Sequence, residues 1–231
     1  MTVPKTSAAA TRKILIVAAL VFLVSIANDT AAQSKLARDD VQEWNELQLV
    51  APVHPRIDLV LDGQLRFGGR ISRVVIARGS AGLAFKLNDH FTLTPAYIYQ
   101  AAEPLPGRKT IEHRLTLTGA LKFSVGKFTF SDNNLIERRL INSRADATRY
   151  RNRLRVEHPV TVRDLKFDVF LSDEVYYDWS VNAWARNRFY AGGGKKLSDH
   201  FYAEIFYLKQ NDGHVRPGDL NAVGTVLRIR L

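Results

Sequence analysis

The sequence predicts an all-β protein. The expected fold is a transmembrane antiparallel up-and-down β-barrel of about 12 strands, with 10 as the alternative, after a cleaved signal peptide. Three observations point there. Apolar and polar residues alternate through segment after segment of about 10–14 residues, against ~9–11 for a tilted spanning strand and ~5–6 for a globular one. The polar face carries Arg, Lys, Asp, Glu and Thr in mixed sign, as a wet or ion-paired lumen would. Short turns (Val53–Pro55, Asn88–His90, Ser124–Gly126, Ser198–His200) alternate with longer loops (Glu103–Gly107, Ile141–Ala147, Asp178–Arg186, Asn211–Asp219), the rhythm of periplasmic turns and outer loops. A soluble barrel would place its apolar residues inside instead.

The chain has 231 residues, a formal charge of +10 and no cysteine. That excludes disulfides, thiolate metal sites and a Cys lipid anchor. The basic residues form no nucleic-acid recognition motif, so no nucleic-acid partner is expected. Lys5, Arg12 and Lys13 precede an apolar run from Ile14 to Ala27, then small residues at Thr30-Ala31-Ala32. This is the pattern of a secretory signal peptide over residues 1–32, with the barrel over 33–231. The run is shorter than the ~20 residues a spanning helix needs.

In order along the chain, Leu47, Leu49 and Ala51 oppose Glu46 and Gln48, before a turn at Pro52–Pro55. Ile57, Leu59, Leu61 and Leu65 oppose Asp58, Asp62, Gln64 and Arg66. Val75, Ala77, Ala81, Leu83 and Phe85 oppose Arg78, Ser80 and Lys86. Phe91, Leu93, Tyr97 and Tyr99 oppose Thr92, Thr94 and Gln100. Leu115, Leu117 and Leu121 oppose Glu112, Arg114, Thr116 and Thr118. Phe128, Phe130 and Ile136 oppose Thr129, Ser131, Glu137 and Arg139, but this parity sends Asp132 and Asn134 to the lipid side, so a bulge is expected there. After the segment around Thr148–Glu157, Leu165, Phe167, Leu171 and Tyr177 oppose Lys166, Asp168, Ser172 and Glu174. Asn187–Gly194 and then Phe201, Ala203, Ile205 and Tyr207 (against Glu204 and Gln210) follow, and Val223, Thr225, Leu227, Ile229 and Leu231 close the chain against Arg228 and Arg230. The segments number eleven. Bacterial single-chain barrels have even counts, so a twelfth strand is expected near Ser34–Asp40.

The most unusual stretch is Thr148–Glu157. Arg149, Arg151, Arg153, Arg155 and Glu157 fall on one face, because side chains alternate along a strand. With a turn at His158–Asp164, Glu157 would face Lys166, Arg155 would face Asp168 and Arg149 would face Glu174. Arg151 and Arg153 would then face Ser172 and Phe170, with Glu137 on the preceding strand available to one of them. Arg114 and Arg139 extend this basic lining; Glu137, Glu157, Asp168 and Glu174 are its acidic partners. Such a ladder fixes the register, since a slip would put Arg on lipid at ~2–4 kcal/mol each. A basic lining would also select anions or bind an anionic small solute.

No histidine is followed two positions later by serine, the spacing that would put base and nucleophile on one strand face. His90-Phe91-Thr92 comes nearest and lies at a turn. No metal spacing occurs and no cofactor is implied. Gly192-Gly193-Gly194 precedes no helix and reads as a kink or close approach.

Several motifs carry a family resemblance: Asp40-Val-Gln-Glu-Trp-Asn-Glu46, Leu61-Asp-Gly-Gln-Leu-Arg-Phe67, Glu112-His-Arg114, Arg149–Glu157, Asp173-Glu174, Asn187-Arg-Phe-Tyr-Ala-Gly192 and Leu197-Ser-Asp-His200. In this order they resemble the DUF2490 family over nearly all of the mature chain. The resemblance implies an outer-membrane β-barrel of Gram-negative bacteria with no assigned activity. The chain departs from the family pattern at Ser131–Asn134. Gly224, Leu227 and Ile229 resemble the last-strand signal read by the barrel-assembly machinery, with Leu231 where an aromatic is usual.

The functional expectation is a non-enzymatic outer-membrane barrel in contact with lipid, with a narrow channel or solute-binding lumen. The alternative is a non-conducting structural or adhesion barrel whose outer loops (Trp179, Trp184) engage a partner. A lipid-modifying enzyme ranks third.

Overall fold

The computed structural model describes residues 38–231; the signal peptide expected over 1–32 lies outside the described residues. Eleven strands form one closed sheet: β1 (Asp39–His54), β2 (Ile57–Gly68), β3 (Arg73–Lys86), β4 (Phe91–Ala102), β5 (Thr110–Val125), β6 (Phe128–Ile141), β7 (Ala147–Val162), β8 (Leu165–Asp178), β9 (Ala183–Lys196), β10 (Phe201–Asp212) and β11 (Asp219–Arg230). Sequential neighbours are antiparallel, and β1 closes on β11 in parallel from Asp39↔Asp219 to Val50↔Arg230. An odd count forces this, because the first and last strands of an up-and-down barrel then run the same way. The expected 12 strands, or 10, are corrected to eleven. Among the described residues there is no twelfth strand: Asp39 and Asp40 begin β1, which already pairs on both edges and leaves none to template another.

Short connections gather at one end of the barrel, here the turn end, and longer ones at the loop end, where β1 also begins. Gly126 opens the β5–β6 turn with φ +59°, a conformation cheap only for glycine. At the loop end the Asp40 carboxylate accepts backbone N–H bonds from Gly69 (3.1 Å) and Arg70 (3.0 Å), tying β1 to the β2–β3 turn. At the turn end His90 and His200 bond the backbone oxygens of Lys122 and Arg230 on the neighbouring hairpins. These histidines are turn staples.

Four local expectations change. First, β7 runs straight through His158-Pro159, and the turn is only Arg163-Asp164. The β6–β7 ladder ends at Thr129↔Glu157, so β7 beyond it projects as an edge, where a residue without an N–H is tolerated. Second, the loop expected over Asp178–Arg186 spans only 179–182, and Trp184 lies on β9. Third, β6 pairs with both neighbours without a register shift, so Asp132 and Asn134 stay on the outer face. Fourth, a bulge at Arg66/Phe67 leaves Val75 unpaired and turns it from the outer face into the interior over Gly68.

Elsewhere alternation sorts the side chains as the sequence implies. Leu47, Leu115, Leu171 and Ile205 stand exposed on the outer wall, and charged and aromatic residues fill the lumen. One side of the lumen holds an apolar cluster: Trp44, Phe170, Tyr190, Phe206, Leu208, Leu220 and Ala222. Phe206 fits because its neighbours across the ladder are Gly192 and Gly224; any Cβ at either position would collide with it. Tyr202 lies over Gly194 in the same way. Gly192 and Gly194 are thus beds for rings, where the sequence suggested a kink or close approach.

Candidate functional site

The other side of the lumen is ionic, and β5, β6, β7 and β8 build it. Arg114 stands opposite Arg139, and Glu137 opposite Arg149. Facing arginines would repel, but Glu112 bridges them, with Arg114 at 2.7 Å and Arg139 at 2.9 Å. Glu137, 1% exposed, takes Arg149 at 2.5 Å and Arg114 at 3.6 Å. Arg139 also reaches Asp178 at 3.6 Å. One layer further, Glu174 receives Arg151 (3.1 Å), Arg188 (3.5 Å) and the hydroxyls of Tyr176 (2.7 Å) and Tyr190 (2.9 Å). Each buried carboxylate therefore meets several donors, the condition under which buried charge is tolerated.

All ten residues expected in the lumen face it, but the expected pairing across β7–β8 is wrong by four residues. Arg149 faces Asp178, Arg151 faces Tyr176, Arg153 faces Glu174, Arg155 faces Ser172 and Glu157 faces Phe170. The longer β7 is the cause. Asp168 stands opposite Pro159 and forms no ion pair among the described residues. Arg155 pairs instead with Glu157 (2.6 Å) and, bidentately, with Glu204 (3.1 and 2.8 Å). It passes over the Phe170 ring, 3.6 Å away, and Glu204 is reachable because the intervening β9 residue facing it is Gly194.

Arg151 and Arg153, grouped by the sequence, separate here. Arg151 is neutralised by Glu174. Arg153 donates only to Ser172 Oγ (3.1 Å) and stacks over Tyr190 at 4.3 Å. Arg66 likewise has no carboxylate among the described residues; it donates to Gln64 (2.7 Å) and lies 3.6 Å from the Trp44 ring centre.

The two sides meet in the loop-end half of the lumen. Arg188 from β9 reaches Trp44 on β1 at 4.9 Å. Tyr176 is surrounded by the guanidinium groups of Arg149, Arg151, Arg186 and Arg188, at 4.8, 5.6, 5.4 and 5.1 Å. Desolvated cation–π contacts of this kind contribute up to ~2 kcal/mol each. Tyr176 is 1% and Leu208 0% exposed, so this layer is packed like a protein core. Towards the turn end the lumen is wetter: Arg228 meets Gln48 in an exposed contact, and Lys86 and Arg230 share Asp58 while remaining partly exposed.

Glu112, Glu204, Arg188, Trp44, Tyr176 and Tyr190 were not among the residues expected to form the site. Their inward parity was readable; their reach across the lumen was not. Among the described residues no histidine ring hydrogen-bonds a serine or threonine, and the one ring that hydrogen-bonds another side chain is His113, with the Tyr97 hydroxyl at 2.6 Å on the outer wall. No cluster of three metal-ligating side chains occurs among the described residues.

Among solved structures, LpxR from Salmonella typhimurium aligns with a TM-score of 0.45 at 9% identity, over 75% of this chain and 83% of that one. The siderophore receptor PirA from Pseudomonas aeruginosa aligns with a TM-score of 0.29 at 11% identity, over 72% of this chain and 34% of that one. No curated protein matches the sequence significantly. A family model described as "Protein of unknown function (DUF2490)" matches residues 41–219, most of the barrel, and by that match the chain belongs to the DUF2490 family.

Proposed function

We propose that the chain is a non-enzymatic, non-conducting barrel that spans the bacterial outer membrane, with structure or adhesion at its loop end as its role. The observation that supports the closed lumen is the crossing of the buried side chains Trp44, Arg188 and Tyr176 between the wetter turn end and the loops. Insertion is supported by the outer wall, which is largely apolar: aromatic residues stand near the loops (Tyr99, Tyr177, Trp179 and Trp184), near the turns (Phe123, Phe128 and Phe201) and between them (Phe189 and Tyr207), among exposed aliphatic ones. A soluble monomer rarely exposes so continuous an apolar surface. Trp179 and Trp184 both pack edge-on against Tyr177 at 5.4 Å, a rigid aromatic platform for a partner or the lipid interface. In this reading β11, with Gly224, Leu227 and Ile229, is the strand the barrel-assembly machinery engages.

The test is planar-bilayer conductance of the purified chain. We expect no conductance steps; steps with ion selectivity would overturn the closed lumen. The channel or solute-binding reading rests on Arg153, a lumen cation with no direct salt bridge among the described residues, next to the wetter turn-side half. An anionic solute bound there would be lost in Arg153→Gln, measured by equilibrium dialysis.

A further inference from the structure

Asp132 and Asn134 stay on the outer wall, and the structure shows what they form there. Asp132 Oδ1 accepts from Asn152 Nδ2 (2.6 Å) and Oδ2 accepts from Asn134 Nδ2 (2.9 Å). Asn134 Oδ1 in turn accepts from the Tyr150 hydroxyl (2.5 Å) and from Asn152 Nδ2 (3.1 Å). This network forms the polar edge of a recess of about 550 Å³ whose other walls are Phe91, Leu93, Leu117, Leu121 and Ile136. Gly119 leaves the space open: a Cβ there would already stand 3.3 Å from the Phe91 ring.

Counting donors and acceptors decides what fits. Both Asn152 amide hydrogens and the Tyr150 hydroxyl hydrogen are spent inside the network, and Asn134 Nδ2 spends one of its two on Asp132. Asp132 has no cation partner among the described residues, and each of its oxygens keeps unused acceptor capacity. A group that meets Asp132 must therefore bring a hydrogen-bond donor, while the walls require hydrocarbon. Depth narrows the choice. Asp132 is the fifth residue of β6 from the turn end. At ~3.3 Å per residue and ~40° tilt it lies roughly 10 Å from the strand end, near the level where chain meets headgroup.

We infer that this recess is a lipid-binding site for a single-chain acyl amphiphile with a hydroxyl or N–H donor next to its chain, the chemistry shared by a monoacylglycerol and a lysophospholipid. The acyl chain lies against Phe91, Leu93 and Leu117, and the donor meets Asp132. This rests on the membrane-spanning reading above.

The experiment uses the purified chain in vesicles, with photoactivatable acyl-diazirine probes of equal chain length: a monoacylglycerol, a lysophosphatidylcholine and a fatty-acid methyl ester that lacks a donor. Labelled peptides are mapped by mass spectrometry. Labelling of β4–β6 by the donor-bearing probes should exceed that by the methyl ester about tenfold, the worth of one hydrogen bond to a charged group. Labelling by both donor-bearing probes shows that a glycerol hydroxyl suffices, and labelling by the lysophospholipid alone assigns the headgroup; either supports the site. Gly119→Leu, which fills the recess from the position opposite Asn134, should abolish the excess, and Asp132→Leu should erase the discrimination between probes. Equal labelling by all three probes, an even spread over the outer wall, or survival of the excess in Gly119→Leu would overturn the site. So would covalent capture of a second copy through β5–β7 in place of lipid. Release of the chain from vesicles by alkaline wash would refute the membrane-spanning reading instead; the same probes on the detergent-solubilised chain then decide the recess by the same criteria.

Discussion

The two sides of the lumen fill the same space by opposite means. On the ionic side, from β5 to β8, volume is taken by long charged chains, and order comes from matching charges: Glu112, Glu137 and Glu174 each hold two or more arginines. On the aromatic side, from β8 through β11 to β1, order comes from shape: Phe206 and Tyr202 lie on glycines whose missing side chains make their seats. The difference teaches that an ionic lumen face, as read from alternation, does not by itself describe a wet pore. Arginine stacked on Trp44, Tyr176, Tyr190 and Phe170 joins the two sides into one stacked layer.

The largest effect should come from breaking charge balance where it is most buried. Glu137→Gln keeps the shape but leaves Arg149 and Arg114 short of a counter-charge, and should destabilise the folded barrel by about 3–5 kcal/mol. Urea unfolding of the chain in detergent micelles measures it, and a loss below about 1 kcal/mol would mean that the ionic side is hydrated. Phe206→Ala tests the other side. It empties the seats at Gly192 and Gly224 and should cost about 3–4 kcal/mol. Phe206→Leu should recover part of that loss, whereas no uncharged residue should restore position 137. Arg151 and Arg153 sharpen the comparison at its border. Arg151→Ala strands Glu174 beside the remaining Arg188 and should cost about 2–3 kcal/mol, while Arg153→Ala loses one hydrogen bond to a neutral hydroxyl and a stacking contact, about 1–2 kcal/mol. Equal losses in these two variants would show that the charge distinction between them is not real.

Much of the fold was legible because alternation is local. Every arginine and carboxylate named from the sequence as lumen-facing does face inward, and the turn residues Asn88–His90 and Ser198–His200 stand where they were expected. Expectations failed where a prior replaced the residues. The eleven segments were in the pattern, and the even-number rule displaced them. His158-Pro159 was read as a turn because proline interrupts a ladder, but here the ladder with β6 has already ended. Asp132 and Asn134 were read as a register fault because charge on the outer wall is costly; they are a self-satisfied network beside a recess.

The amino-acid sequence alone determined which side of the wall each residue takes, since a period of two depends only on the neighbours in the chain. The tertiary structure decided what each lumen residue meets. Arg155 finds Glu204, and Trp44 finds Arg188, only once closure at eleven strands sets the diameter and the register sets the height. Both quantities belong to the whole sheet, and a four-residue error in one hairpin changes every pair across it while leaving every face unchanged.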